Sequence, residues 1–245
     1  MPSPSALPAH LLLLADSRLP AGGHAHSGGL EPAVAAGAVT DVASLAAFLR
    51  GRLATAGLVA AALAAASCHH ATTRADVGEG HTTPGDAGPD GWGLLDAEAD
   101  ARTPSPAQRS ASRAQGRSLL RVARATWPHP SLDALAAGAA GHGPHHPLVI
   151  GAATAAMGGT AAQAAAVTAY GTVTGAASAA VRLLGLDPLS VNRALGTLAA
   201  RIDAVAADAA ARADGPWAGL PALTAPQLDL YAETHRKAEL RLFES

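Results

Sequence analysis

Apolar positions along this chain recur at three- and four-residue steps, and nowhere in the strict alternation that a half-buried strand shows. Leu195, Leu198, Ile202 and Val205 form one such seam, and Leu45, Phe48, Leu49 and Leu53 another. The pattern predicts a short first helix over 7–17, stopped by Leu19-Pro20-Ala21-Gly22-Gly23. A second helix runs from Ser27 as N-cap to about Ala36 before Gly37, and a third opens at Asp41 and reaches about Ser67. From Thr72 to Gly93 the periodicity stops and Gly, Pro, Asp and Thr dominate, which predicts a flexible loop long enough to be a mobile insertion. An acid-rich helical piece follows over 94–101, and Ser105-Pro106 starts a helix to about Arg124. Further helices are expected over 131–141, 148–157 and 161–184, the last two separated by Gly158-Gly159. Asp187-Pro188 opens the next helix, Gly215 to Pro221 breaks the chain, and the tail 225–245 holds one more. The expectation is an all-α protein of about nine helices, a single-domain helical bundle spanning 1–245.

Composition sharpens this reading. Hydrophobic residues make up 49% of the 245 residues but aromatics only 3%, so the apolar content rests mainly on alanine, the strongest helix former. Strands draw on β-branched and aromatic residues, and a β-sandwich or barrel is excluded on that ground. A mean hydropathy of +0.19 argues against a disordered chain. The formal charge of −2 and pI near 6.6 argue against a nucleic-acid binder. The single cysteine, Cys68, allows neither an intrachain disulfide nor a cysteine zinc cluster. The N-terminal apolar run has no basic residue before it and is not read as a signal peptide. No charged residue lies between His146 and Arg182, yet Ala, Gly and Thr dominate there. Buried helices are therefore expected rather than a membrane span.

Candidate chemistry is sparse. The only lysine, Lys237, is followed by Ala238, so there is no P-loop, and no glycine-rich turn follows a strand, so there is no Rossmann site. Cys68-His69-His70 and His142, His145, His146 read as surface or helix-end residues, with weak nickel or zinc binding as the alternative. Arg109, Arg113, Arg117 and Arg121 step by four along one helix, a repulsive spacing that something acidic must offset. Asp96, Glu98 and Asp100 of the same chain are one source, and an acidic partner is the other. Gly171 and Gly175 let another helix approach closely, either within the core or across a dimer. The glycines and histidines from Pro20 to Glu31 form a structural turn or an anion site at a helix entry.

That segment resembles the urease accessory protein UreF family. Pro20, Gly22, Gly23, His26, Ser27, Gly29, Leu30 and Glu31 match its leading motif, with His24 where an aromatic is usual and Ala25 where a hydroxyl is usual. Arg109-x-x-Ser112-Arg113-x-x-Gly116-x-x-Leu119-Leu120 is similar to a second family motif, and His146-Pro147-Leu148-Val149-Ile150-Gly151 to a third. Ser178 through Val181-Arg182 and the ending His235 to Leu242-Phe243 follow in family order, with departures at Arg236, Ala238 and Glu244. The resemblance covers about 10–71 and 94–245. It implies a cytoplasmic, non-enzymatic adaptor with no cofactor and no metal site of its own. Such an adaptor forms a homodimer, joins the UreD/UreH scaffold to the GTPase UreG, and couples GTP hydrolysis to nickel insertion into apo-urease. A histidine-based nickel carrier is the alternative, and an unrelated helical enzyme a third. The motif positions imply partner contacts at Gly22, Gly23, His26, Ser27, Glu31, Arg113, Gly116, Arg117, His235, Leu242 and Phe243. The tail from Ala225 is expected to be mobile alone and to order on the scaffold through Leu228, Leu230, Leu240, Leu242 and Phe243.

Overall fold

The computed structural model describes residues 8–76, 91–139 and 141–244. Among the described residues there are eleven α-helices and no strand: α1 (Ala9–Ala15), α2 (Leu30–Ala35), α3 (Val42–Arg52), α4 (Leu58–Asp76), α5 (Gly91–Ala101), α6 (Pro106–Thr126), α7 (Pro130–Gly138), α8 (His146–Ala156), α9 (Ala161–Leu184), α10 (Pro188–Ala210) and α11 (Pro226–Arg236). The all-α expectation holds. Starts are set by side-chain caps where the sequence placed them. Asp41 accepts from the Ser44 amide, Ser105 from Gln108, and Asp187 from Leu189 and Ser190. Each such cap contributes about 1 kcal/mol. At α2 the helix opens at Gly29 rather than at Ser27, yet the Ser27 hydroxyl still accepts the Glu31 amide at 3.2 Å.

Two boundaries differ from expectation. α3 does not end near Ser67, because it continues through a π-helical turn at Leu53–Gly57 into α4. This alanine-rich run carries no proline, and Thr72 and Thr73 fold their hydroxyls back onto the Cys68 and His69 carbonyls instead of interrupting it. α5 begins at Gly91, because Trp92 is buried and anchors that turn. Residues 72–76 and 91–93 are therefore helical rather than part of a loop. The remainder of the expected insertion, 77–90, lies outside the described residues.

Alanine decides the packing. Ala61, Ala62, Ala64, Ala65 and Ala66 of α4 are all fully buried, so α4 is covered on every side, by α8, α9 and α10. Small side chains allow close approach of helix axes. Gly151 of α8 marks the tightest point, where a Cβ would fall inside contact distance of the Ala64 carbonyl and the Ser67 side chain. Ser67 meets the buried Leu148 carbonyl there with a 2.6 Å hydrogen bond. The bulky residues Trp92, Leu95, Leu119, Leu132 and Leu135 fill the space between α5, α6 and α7, and one apolar cluster runs from Leu14 to Phe243. The continuous run 42–74 and α9 are long and apolar enough to cross a membrane, but much of each faces this protein core.

Candidate functional site

The N-terminal motif at 22–31 and the C-terminal segment at 235–244 meet. Gly22 and Gly29 take left-handed φ values of 77° and 86°, which lets residues 22–29 fold into a compact turn containing the short 3-10 helix Gly23–Ala25. The turn delivers Glu31 to the first turn of α2, and the C-terminal segment lies across it. The Glu31 carboxylate accepts the Leu242 amide at 2.7 Å and the Phe243 amide at 2.9 Å. His235, on the last turn of α11, donates from Nε2 to the Phe243 carbonyl at 3.1 Å, and the same nitrogen lies 3.5 Å from Glu31. The Glu244 amide donates to the Ala25 carbonyl at 2.7 Å. Phe243 is buried, with the Arg182 guanidinium 4.6 Å above its ring, and Arg182 donates to the His24 carbonyl.

His26 points inward from the turn, 3.8 Å from the Glu244 carboxylate. Burial pushes its pKa down, against the pull of Glu244. His146, at the start of α8, is pushed down to about 4 by burial and by the neighbouring His26. Eight residues singled out in the sequence thus gather on one face: Gly22, Gly23, His26, Ser27, Glu31, His235, Leu242 and Phe243. In the structure the tail lies against the fold. It is latched by backbone hydrogen bonds and a buried aromatic, leaving Leu240 and Leu242 exposed.

The arginine motif lies elsewhere. Arg113 is only 12% exposed and bridges Asp96 at 2.8 Å and Asp100 at 2.7 Å while donating to the Gly143 carbonyl. His145 is buried in the same network, with Nε2 2.9 Å from Asp100, Nδ1 3.0 Å from the Ser112 hydroxyl, and its amide donating to Asp96. Asp100 is held below the usual carboxylate range because its bonds to His145 and Arg113 outweigh the burial that would raise it. Gly116 permits the crossing of α6 against the 144–146 turn, since a Cβ there would collide with the Pro144 carbonyl. Arg113 and Gly116 therefore hold α5, α6 and α8 together. Arg117 is exposed and donates to the His142 carbonyl at 2.7 Å.

Comparison with known proteins decides the family. The UreF family model matches residues 39–199. The chain is 45% identical over 237 residues to urease accessory protein UreF of Mycobacterium marinum, covering 97% of this chain and 98% of the relative. It is 45% identical over 237 residues to that of Mycolicibacterium vanbaalenii, with the same coverage, and 42% identical over 235 residues to that of Mycobacterium tuberculosis, covering 96% and 97%. This chain belongs to the UreF family. The leading and closing motifs that carried the UreF resemblance are the two strands of sequence that Glu31 and His235 tie together.

The histidine clusters do not gather. Cys68 is buried and its thiol is pushed up to about 12. His70 sits edge-on between Trp92 at 4.7 Å and Trp217 at 5.2 Å. Among the described residues no three His, Cys, Asp or Glu side chains are placed to hold a metal ion. Gly171 and Gly175 of α9 do not face the core, since a Cβ at either would meet nothing within 4 Å. Sequence reasoning missed Glu233 and placed Arg182 only within a family motif. The Glu233 carboxylate receives the Ser105 hydroxyl at 2.6 Å and the Ala107 amide at 2.8 Å, which holds it near pKa 2 and pins α11 to the start of α6. Glu233 carries no local pattern, because Ser105 and Ala107 lie over a hundred positions away.

Proposed function

We propose that this UreF-family chain is a non-enzymatic adaptor of urease maturation. It joins the UreD/UreH scaffold to the GTPase UreG in the cytoplasm and couples GTP hydrolysis to nickel insertion into apo-urease. The observation that carries the reading is the junction of the two termini. Three polar side chains there are spent on shaping backbone: Glu31 on two amides, His235 on a carbonyl, Ser27 on the α2 entry. A surface whose acids and histidines are engaged in this way is suited to recognition by shape, with Leu240 and Leu242 exposed beside it. Gly22, Gly23, His26, Ser27, Glu31, His235, Leu242 and Phe243 are its elements, and Arg117 lies on a separate exposed face. The chain acts as a homodimer, supported by the outward-opening Gly171 and Gly175 step, where a second helix approaches closely.

The nickel-carrier alternative draws no support from the geometry. His145 is committed to Asp100 and Ser112, and the Cys68 thiol is protonated at neutral pH. The test is reconstitution of apo-urease with purified scaffold, GTPase, nickel, bicarbonate and GTP, with and without this chain. Urease activity that requires the chain, together with co-purification of all three accessory proteins, is the expected result. Full activation without it, or failure of the chain to associate with either partner, overturns the reading.

A further inference from the structure

Arg52, the last residue of α3, lies under the Gly28–Gly29 turn of the N-terminal motif. A Cβ on Gly28 would stand 2.9 Å from its Nη2, so the turn closes directly over the guanidinium. Its Nε donates to the Thr172 carbonyl of α9 at 3.2 Å. Among the described residues no carboxylate reaches it, and burial lowers its pKa to about 10 with nothing opposing. Every other well-covered arginine here is compensated. Arg113 has Asp96 and Asp100, and Arg102 has Glu98 and a ring of carbonyls from 217 to 221. Arg52 is part-buried, so a carboxylate that reached it as a partner excluded the remaining solvent would gain a charge-assisted pairing.

The guanidinium also has an opening. It lines a large cleft of about 1140 Å³ together with Gly28, Gly29, Ala56 and Thr172. The same cleft is bordered by His26, His235 and Phe243, so Arg52 sits at the inner edge of the junction between the termini. Gly28, with φ of 64°, presents no side chain, and Ala56 presents only a methyl group. An incoming side chain can therefore approach the guanidinium through the cleft, and its planar fork suits a carboxylate.

We infer that Arg52 is a carboxylate-binding site for a partner protein, filled by an Asp or Glu side chain of the scaffold that docks on the junction of the termini. This deepens the adaptor reading and rests on it. The carboxylate supplies the missing counter-charge, the Gly28–Gly29 turn and α9 fix its position, and the cleft excludes water once the partner closes over it. The pairing adds specificity, since a partner lacking an acid at that point would leave the covered cation uncompensated.

The test uses the full chain and purified scaffold, with Arg52→Gln and Arg52→Lys. Binding is measured by calorimetry at two salt concentrations, self-association by sedimentation, and melting on the isolated chain. Expected results are a melting temperature unchanged or raised in Arg52→Gln, and scaffold affinity at least tenfold weaker with a smaller salt dependence. Arg52→Lys should fall between, because it keeps the charge and loses the fork. A melting temperature lowered by many degrees in both variants shows that the guanidinium is a structural brace and overturns the assignment. Unchanged scaffold affinity also overturns it while leaving the adaptor reading intact. Weakened self-association with normal scaffold binding assigns the carboxylate to a second copy and overturns the scaffold source. Failure of the unaltered chain to bind scaffold at all overturns the adaptor reading and this inference together.

Discussion

His146 shows how one residue carries both a structural position and a pH response. It opens α8 beneath the N-terminal turn, where burial and the facing His26 hold its pKa at about 4 against an ordinary 6.5. In the unfolded chain it takes up a proton once pH falls below that ordinary value, whereas in the folded chain it does not. Stability is therefore fully present above about pH 6.5 and is lost as pH drops toward 4. His26 and His145 are displaced in the same direction by burial. The His146→Gln variant should flatten, without abolishing, the fall in denaturant midpoint between pH 6.5 and 4.5. An unaltered slope would show that His146 remains hydrated. The histidines were visible in the sequence as a cluster, but not their fates. His145 enters a charged network, His146 lies under a turn and His142 is exposed, although the three lie within five positions.

At the scale of elements, α6 divides its arginine stripe. The four-residue steps place Arg109, Arg113, Arg117 and Arg121 on one slowly turning face, as the spacing requires. The acid run of α5 reaches only part of it: Arg113 is bridged to Asp96 and Asp100, Arg109 lies 3.9 Å from Asp100, and Arg117 lies beyond that reach. The intrachain reading of the stripe thus holds for Arg113 and, at longer range, Arg109. Arg113→Met leaves Asp96, a largely buried carboxylate, without its partner and should destabilise the isolated chain by about 3 kcal/mol. Arg117→Glu alters an exposed position and should shift stability by no more than about 0.5 kcal/mol. Thermal melting of the two variants side by side checks this, and equal losses would mean that the stripe acts as one structural unit. The element starts at Asp41, Ser105 and Asp187 were legible because caps are local chemistry. The length of α4 beyond Ser67 was less legible, because polar residues at its end are tolerated once their hydroxyls bond back to the helix.

At the scale of the whole molecule, the tail belongs to the fold. Phe243 is buried, and its segment is bonded to Glu31, His235 and Ala25. Removing residues 237–245 should lower stability by about 3 kcal/mol, the scale expected for losing a buried aromatic and its hydrogen bonds. It should also speed amide exchange across α2 and α11. A truncated chain that melts with the full one would show that the latch forms only weakly in solution. Helical class, the capped starts, the alanine-rich core helices and the family motifs were all readable from residue order. Propensity, caps and periodicity act over a few positions, and motifs are strings. The meeting of the 22–31 motif with the C-terminal segment, the internal neutralisation of Arg113, the outward face of Gly171 and Gly175, and the placing of Arg52 under Gly28 were decided by packing. Each depends on which surfaces remain once alanine has let the central helices close on one another, and residue order alone does not specify that geometry.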